Sequence, residues 1–328
     1  SNVARLFHMN AKTRMLLIGC ATAGAMSSMF KAPVAAIVFA IEIFSLDLVF
    51  APLVPLLLAS IAAVITSYFF RGTDVLFSFE LLNAWRVKDI VFYVFLGLAT
   101  GIASVYFSKM YFLITRFFSR FSNAYIKIGI AAIAIGFMLY LFPPLYGEGY
   151  GLINNLLNGN TEAALSGIQY QIDFNNIWMV IVILLIIAVF KAIAMTTTFA
   201  AGGVGGIFIP TLFMGSALGN AVAKAINQFG FEVSEANFTL LGMTGLMAGV
   251  LHAPLTAIFL IAEITGGYDL FVPLMLVATI SFGFTKYFVP NSIYTAELAK
   301  RGELITSDKD KNALMMLNID RVIETDFI

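Results

Sequence analysis

GCATAGAMSSMFKAPVAAIVFAIEI, residues 19–43, is echoed late in the chain by LGMTGLMAGVLHAPLTAIFLIAEI, residues 241–264. The two stretches align at an offset of 221, which places Gly24 on Gly245, Pro33 on Pro254, Ile37 on Ile258 and Glu42 on Glu263. The echo runs on into the next segment, where Pro52 meets Pro273 and Leu53 meets Leu274. In each copy a glycine-containing apolar run ends at a proline that opens a second run of about eleven residues, roughly 15 Å of helix. A bilayer needs about 20 helical residues. Both short runs are therefore predicted to enter the membrane only part way, with their ends buried in protein, because lipid cannot satisfy free backbone groups. Proline suits their starts, since it has no N–H to leave unsatisfied in a first turn. A duplicated pair of broken helices points to a membrane transport protein with its ion site between two halves.

Composition agrees. The 328 residues are 60% hydrophobic and 12% charged, with 32 Phe and 26 Gly, and the mean hydropathy is +0.92. A soluble domain carries about 25% charged residues. Net charge is zero, so no nucleic-acid partner is expected. Cys20, the single cysteine, lies in an apolar run, and His8 and His252 have no neighbour at ligand spacing. No metal or other cofactor is expected, and no nucleophile–base pair suggests an enzyme.

The chain is predicted to be an all-α polytopic membrane protein. Spanning segments are expected at 50–70, 90–112, 125–142, 177–197 and 271–288. Residues 1–140 read as the remainder of a first transmembrane half and 177–298 as the second. Between them, 141–176 reads as a polar loop with a tight turn at Gly147, Gly149 and Gly151 and one short amphipathic helix. Residues 299–328 are charged and lack a spanning run, and the basic flanks favour a cytoplasmic tail or a linker to a regulatory domain. The chain opens on Ser1 without a signal-peptide pattern. The counterpart of the glycine-rich stretch 202–210 would fall before residue 1, so an upstream part of the first half is expected to be missing.

That glycine-rich stretch is AGGVGGIFIPTLFMGSALG, residues 201–219. Gly202, Gly203, Gly205 and Gly206 bring backbone close and expose N–H groups, and Ile207, Phe208 and Ile209 lead into a helix expected to start at Pro210. Free amides and the positive end of a helix can hold an anion. No Lys or Arg lies in the motif, so binding would rely on dipoles, which suits an ion that must also leave. A glycine-rich turn that only packs helices closely fits the same residues. Glu42 and Glu263 are intramembrane carboxylates and so functional candidates, although their symmetric placement argues for accepting hydrogen bonds at a helix end. Lys31 fits either a pore-mouth charge or a snorkelling side chain.

The chain resembles the CLC family of chloride channels and chloride/proton antiporters. GGIFIP, 205–210, is similar to that family's G-x-F-x-P anion motif. FKAPVAAIVFAIEI, 30–43, is similar to the segment after its gating-glutamate helix, and SIYTAELA, 292–299, to its last segment with the central tyrosine. The loop YGEGY, 146–150, is similar as well. The resemblance implies an inverted repeat of antiparallel halves with tilted, broken and partly re-entrant helices. It also implies a homodimer in the cell membrane with one pore per subunit. It assigns chloride binding to the backbone N–H groups of Ile207 and Phe208 and the hydroxyl of Tyr294, within the motif Gly205, Gly206, Ile209 and Pro210. Tyr294 by itself would equally fit a membrane-interface aromatic. The family's G-S-G-x-P and G-K/R-E-G-P segments find no position here. Its proton-relaying inner glutamate corresponds to Ile43, which cannot carry a proton. The reading is passive chloride conduction, with a chloride/proton antiporter as the alternative and a non-transporting scaffold as a distant third.

Overall fold

The computed structural model describes residues 2–44, 50–72, 77, 85–296 and 299. Among them all regular structure is helical. The first repeat contains α1 (Asn2–Leu6), α2 (Ala11–Phe30), α3 (Pro33–Phe44) and α4 (Phe50–Arg71). Two long helices, α5 (Ile90–Ser119) and α6 (Ala124–Leu141), follow. The second repeat closes the described chain with α9 (Ile177–Ala200), α10 (Phe208–Gln228), α11 (Glu235–Leu251), α12 (Pro254–Ile264) and α13 (Phe271–Phe288).

Five helices are long and apolar enough to cross a membrane, at the positions expected. This is a multi-pass membrane protein. One expectation falls short: α5 runs seven residues beyond Phe112, with Arg116 in its last turn. A basic residue there favours the negative carbonyl end of the helix rather than terminating it. The polar stretch also differs. It carries two short helices, α7 (Tyr150–Leu157) and α8 (Thr161–Ala164), and Gly151 belongs to the first of them. The turn itself uses Gly147 and Gly149, at φ +61° and +89°. The tail from residue 300 onward lies outside the described residues.

The repeat is visible in the backbone. Helices α2 and α11 both end on a left-handed residue, Lys31 at φ 54° and His252 at φ 56°, which are equivalent positions. Neither helix can continue, because the Ala-Pro that follows supplies no N–H at Pro33 or Pro254 and disfavours helical geometry before the proline. The two breaks are held alike by the next long helix. Lys31 donates to Gly72 O at 2.6 Å and lies over the Tyr68 ring, while the His252 ring meets Phe282 edge-on at 5.6 Å. Lys31 is thereby tied to the end of α4.

Packing repeats as well: α2 lies against α4 as α11 lies against α13. Each pair has a serine stitch, but from opposite sides: Ser27 of α2 donates to Ser60 O of α4 at 2.9 Å, while Ser281 of α13, the equivalent of Ser60, donates to Gly245 O of α11 at 2.6 Å. Helix α11 is buried from Asn237 to Leu251 and forms the centre of the second half. Its closest neighbour is α10: a Cβ on Gly215 would stand 2.5 Å from Gly242 O. Only glycine on both helices permits that approach.

The halves join through α3 and α12. The Glu42 carboxylate, near the end of α3, accepts from Leu255 N at 3.0 Å, Thr256 N at 2.8 Å and Thr256 Oγ1 at 2.5 Å, at the start of α12. The Glu263 carboxylate, near the end of α12, accepts from Val34 N at 3.0 Å and Ala35 N at 2.8 Å, at the start of α3. End meets start in both directions, so the two helices are antiparallel. Proline removes the first donor of each helix, and the partner's carboxylate takes the next two. The two glutamates thus act as reciprocal caps.

Candidate anion site

Helix α9 ends through a turn that demands glycine. Gly202 stands at φ +96°, and its N–H donates to Phe199 O at 3.0 Å while Gly203 N–H donates to Thr198 O at 2.9 Å. A Cβ at Gly203 would lie 2.9 Å from that same carbonyl. These bonds satisfy the last carbonyls of α9 and release the chain into an exposed run without regular structure, 203–206.

Helix α10 then begins at Phe208, not at Pro210. Pro210 occupies the third helical position, which it tolerates because a first-turn residue has no carbonyl four positions back to bond. The first bond into the helix is Thr211 N to Ile207 O at 3.2 Å. Ile207 provides no side-chain cap. Among the described residues no acceptor is found for the amides of Ile207, Phe208 and Ile209. Three donors therefore stand free at the positive end of a 21-residue helix.

The first repeat braces this helix start. The Phe208 ring packs on Phe30, the last residue of α2, at 5.1 Å, and edge-on against Phe39 of α3 at 5.9 Å. Ile43 lies one turn beyond Phe39, half-buried in the last turn of α3. The repeat's broken helices and the glycine-rich motif therefore belong to one assembly.

Tyr294 lies in the turn after α13 and is 39% exposed. The Tyr111 ring of α5 meets Phe199 of α9 at 6.5 Å. Phe199 in turn flanks Gly205. No direct contact between Tyr294 and Phe208 is seen among the described residues.

One charged residue near the motif escaped the sequence reading. Lys191 interrupts the apolar run of α9, is 3% exposed, and donates to Leu145 O at 3.1 Å and Gly147 O at 2.9 Å. A lone lysine inside a 24-residue apolar helix is a signal in its own right.

A profile of the family described as "Voltage gated chloride channel" matches residues 1–286. The chain belongs to the CLC family. Among curated proteins it is similar to a putative ClcB-like chloride channel protein of Ralstonia nicotianae, at 28% identity over 87% of this chain and 63% of that protein. It is also similar to the voltage-gated ClC-type chloride channel ClcB of Salmonella typhimurium, at 25% identity over 92% of this chain and 68% of that protein. The chain thus spans about two thirds of the length of these CLC relatives. Among solved structures, a slow cyanobacterial Cl−/H+ antiporter superposes with a TM-score of 0.73 at 22% identity, covering 91% of this chain and 67% of that one. A CLC-type fluoride/proton antiporter gives 0.67 at 23% identity, covering 85% and 64%. The CLC antiparallel-repeat fold follows from these likenesses together with the reciprocal α3–α12 caps.

Proposed function

We propose that the intact protein carries chloride passively across a cell membrane, as a homodimer with one anion path per subunit. The observation that supports this best is the free amide cluster of Ile207, Phe208 and Ile209 at the start of α10, in a motif without a full charge. Neutral donors can replace part of an anion's hydration and still release it. The Tyr294 hydroxyl adds a further neutral donor. The names of the curated relatives favour the channel reading, and so does Ile43 at the position of the family's proton relay.

A second reading, chloride/proton antiport, is favoured by the solved structures of similar fold, two of which are titled antiporters. The two separate in vesicles. With the intact protein reconstituted, a chloride gradient is expected to discharge without driving protons against their own gradient. Reproducible uphill proton movement driven by chloride would replace the channel by the antiporter. Absence of any chloride flux would remove both.

A further inference from the structure

Lys191 has an environment that the amide site does not explain. Among the described residues the ion pairs are Arg86–Asp89 and Lys224–Glu235. Lys191 thus has carbonyl and ring partners but no carboxylate at ion-pair distance. Its ammonium stands 4.4 Å over the Phe213 ring of α10 and spends two of its three N–H groups on Leu145 O and Gly147 O. The loop it clamps is fitted to the same ring, since a Cβ at Gly149 would collide with Phe213. Lys191, Gly147 and Glu148 line a cavity of about 440 Å³ that Gly205, Gly206 and Ile209 of the anion motif also line.

We propose that this cavity is a second anion station beside the amide site, with Lys191 as its positive charge. Burying an ammonium is costly unless charge or hydrogen bonds compensate it, and two carbonyls, one aromatic face and the Glu148 carboxylate beyond ion-pair distance compensate this one only in part. A small monovalent anion in the cavity supplies the remaining negative charge. The walls are mostly apolar, which favours weakly hydrated anions such as bromide over strongly hydrated ones. Glu148 is exposed on the same cavity. Its carboxylate opposes occupancy, so an anion drawn in by Lys191 is not trapped. The station rests on the anion reading of the neighbouring motif for its role, but its occupancy can be read separately.

Bromide provides the probe, located by anomalous diffraction in crystals of the intact protein. Two positions are expected, one at the amides of Ile207 and Phe208 and one in the cavity beside Lys191. Lys191→Met should empty the cavity position, or raise the bromide needed to fill it at least about tenfold, because one buried unit charge is lost. Lys191→Arg should retain it, and Glu148→Gln should fill it at lower bromide. A cavity empty of bromide in the wild-type protein while the amide position is filled overturns the station alone. So does a cavity peak unchanged in Lys191→Met. Bromide in the cavity but not at the amides overturns the amide site and leaves the station standing. Should Lys191→Met fail to fold, the wild-type position and the Glu148→Gln shift decide.

Discussion

In the proposed site the amides of Ile207 and Phe208 and the hydroxyl of Tyr294 would offer an anion hydrogen bonds without a countercharge, so each bond should count modestly and measurably. Tyr294→Phe removes one hydroxyl and leaves the ring in place. Its chloride affinity is expected to fall two- to tenfold, the equivalent of about 0.5–1.5 kcal/mol, in a calorimetric titration of the intact protein. Unchanged affinity would take Tyr294 out of the site and return it to the membrane-interface aromatics. Gly203 tests the backbone that presents the amides. Gly203→Ala places a methyl 2.9 Å from Thr198 O and 2.8 Å from Thr198 Cγ2, so the turn must shift. Overpacking of this kind costs about 1–3 kcal/mol, and both thermal stability and chloride affinity should drop. A variant with normal affinity would show that the turn does not position the amides.

Helices α3 and α12 are short because each begins at a proline and finishes against the other's start. Neither has an N-cap side chain of its own, and the donors left over after Pro33 and Pro254 are taken by a carboxylate from the opposite half. Removing that carboxylate strands two amides away from water, at about 1–3 kcal/mol for each buried group left unsatisfied. Glu42→Ala and Glu263→Ala should therefore both lower the unfolding temperature in detergent. Glu42 also accepts from the Thr256 hydroxyl, whereas the equivalent residue in the other half is Ala35. Glu42→Ala is expected to be the more damaging of the two. Thr256→Val should carry only the smaller part of that loss. Equal stability of all three variants with the wild type would show that the caps are dispensable and would return the glutamates to the functional candidates.

For the whole molecule, the position of Ile43 links fold to mechanism. It lies on α3 one turn past Phe39, which touches the first residue of the anion helix. On the proposed channel reading, an apolar side chain there interrupts a proton route along this face. Ile43→Glu should leave chloride flux measurable. Any proton movement it acquires would be weak, because a new carboxyl in apolar surroundings favours its neutral form. Strong, stoichiometric coupling in the variant would show that the rest of a proton path is already in place.

The repeat, the prolines and the glycine-rich motif were legible because they are local constraints. Pro33 and Pro254 forbid a continuous helix whatever surrounds them, and Gly202 takes a backbone angle that few other residues accept. Spacing and composition were sufficient to place the five spanning helices and the two half-length ones, and short motifs such as GGIFIP carried the family resemblance. Partnership was not legible. Glu42 and Leu255 are 213 positions apart, and no periodicity says that one carboxylate caps the other half's helix, because that depends on how two antiparallel elements meet. The start of α10 at Phe208 depended on how the Gly202–Gly203 turn spent its hydrogen bonds. Lys191 acquired its meaning only when α9, the loop at Leu145 and the ring of Phe213 came together. A buried charge is defined by what surrounds it, and in this protein the surroundings come from three separate parts of the chain.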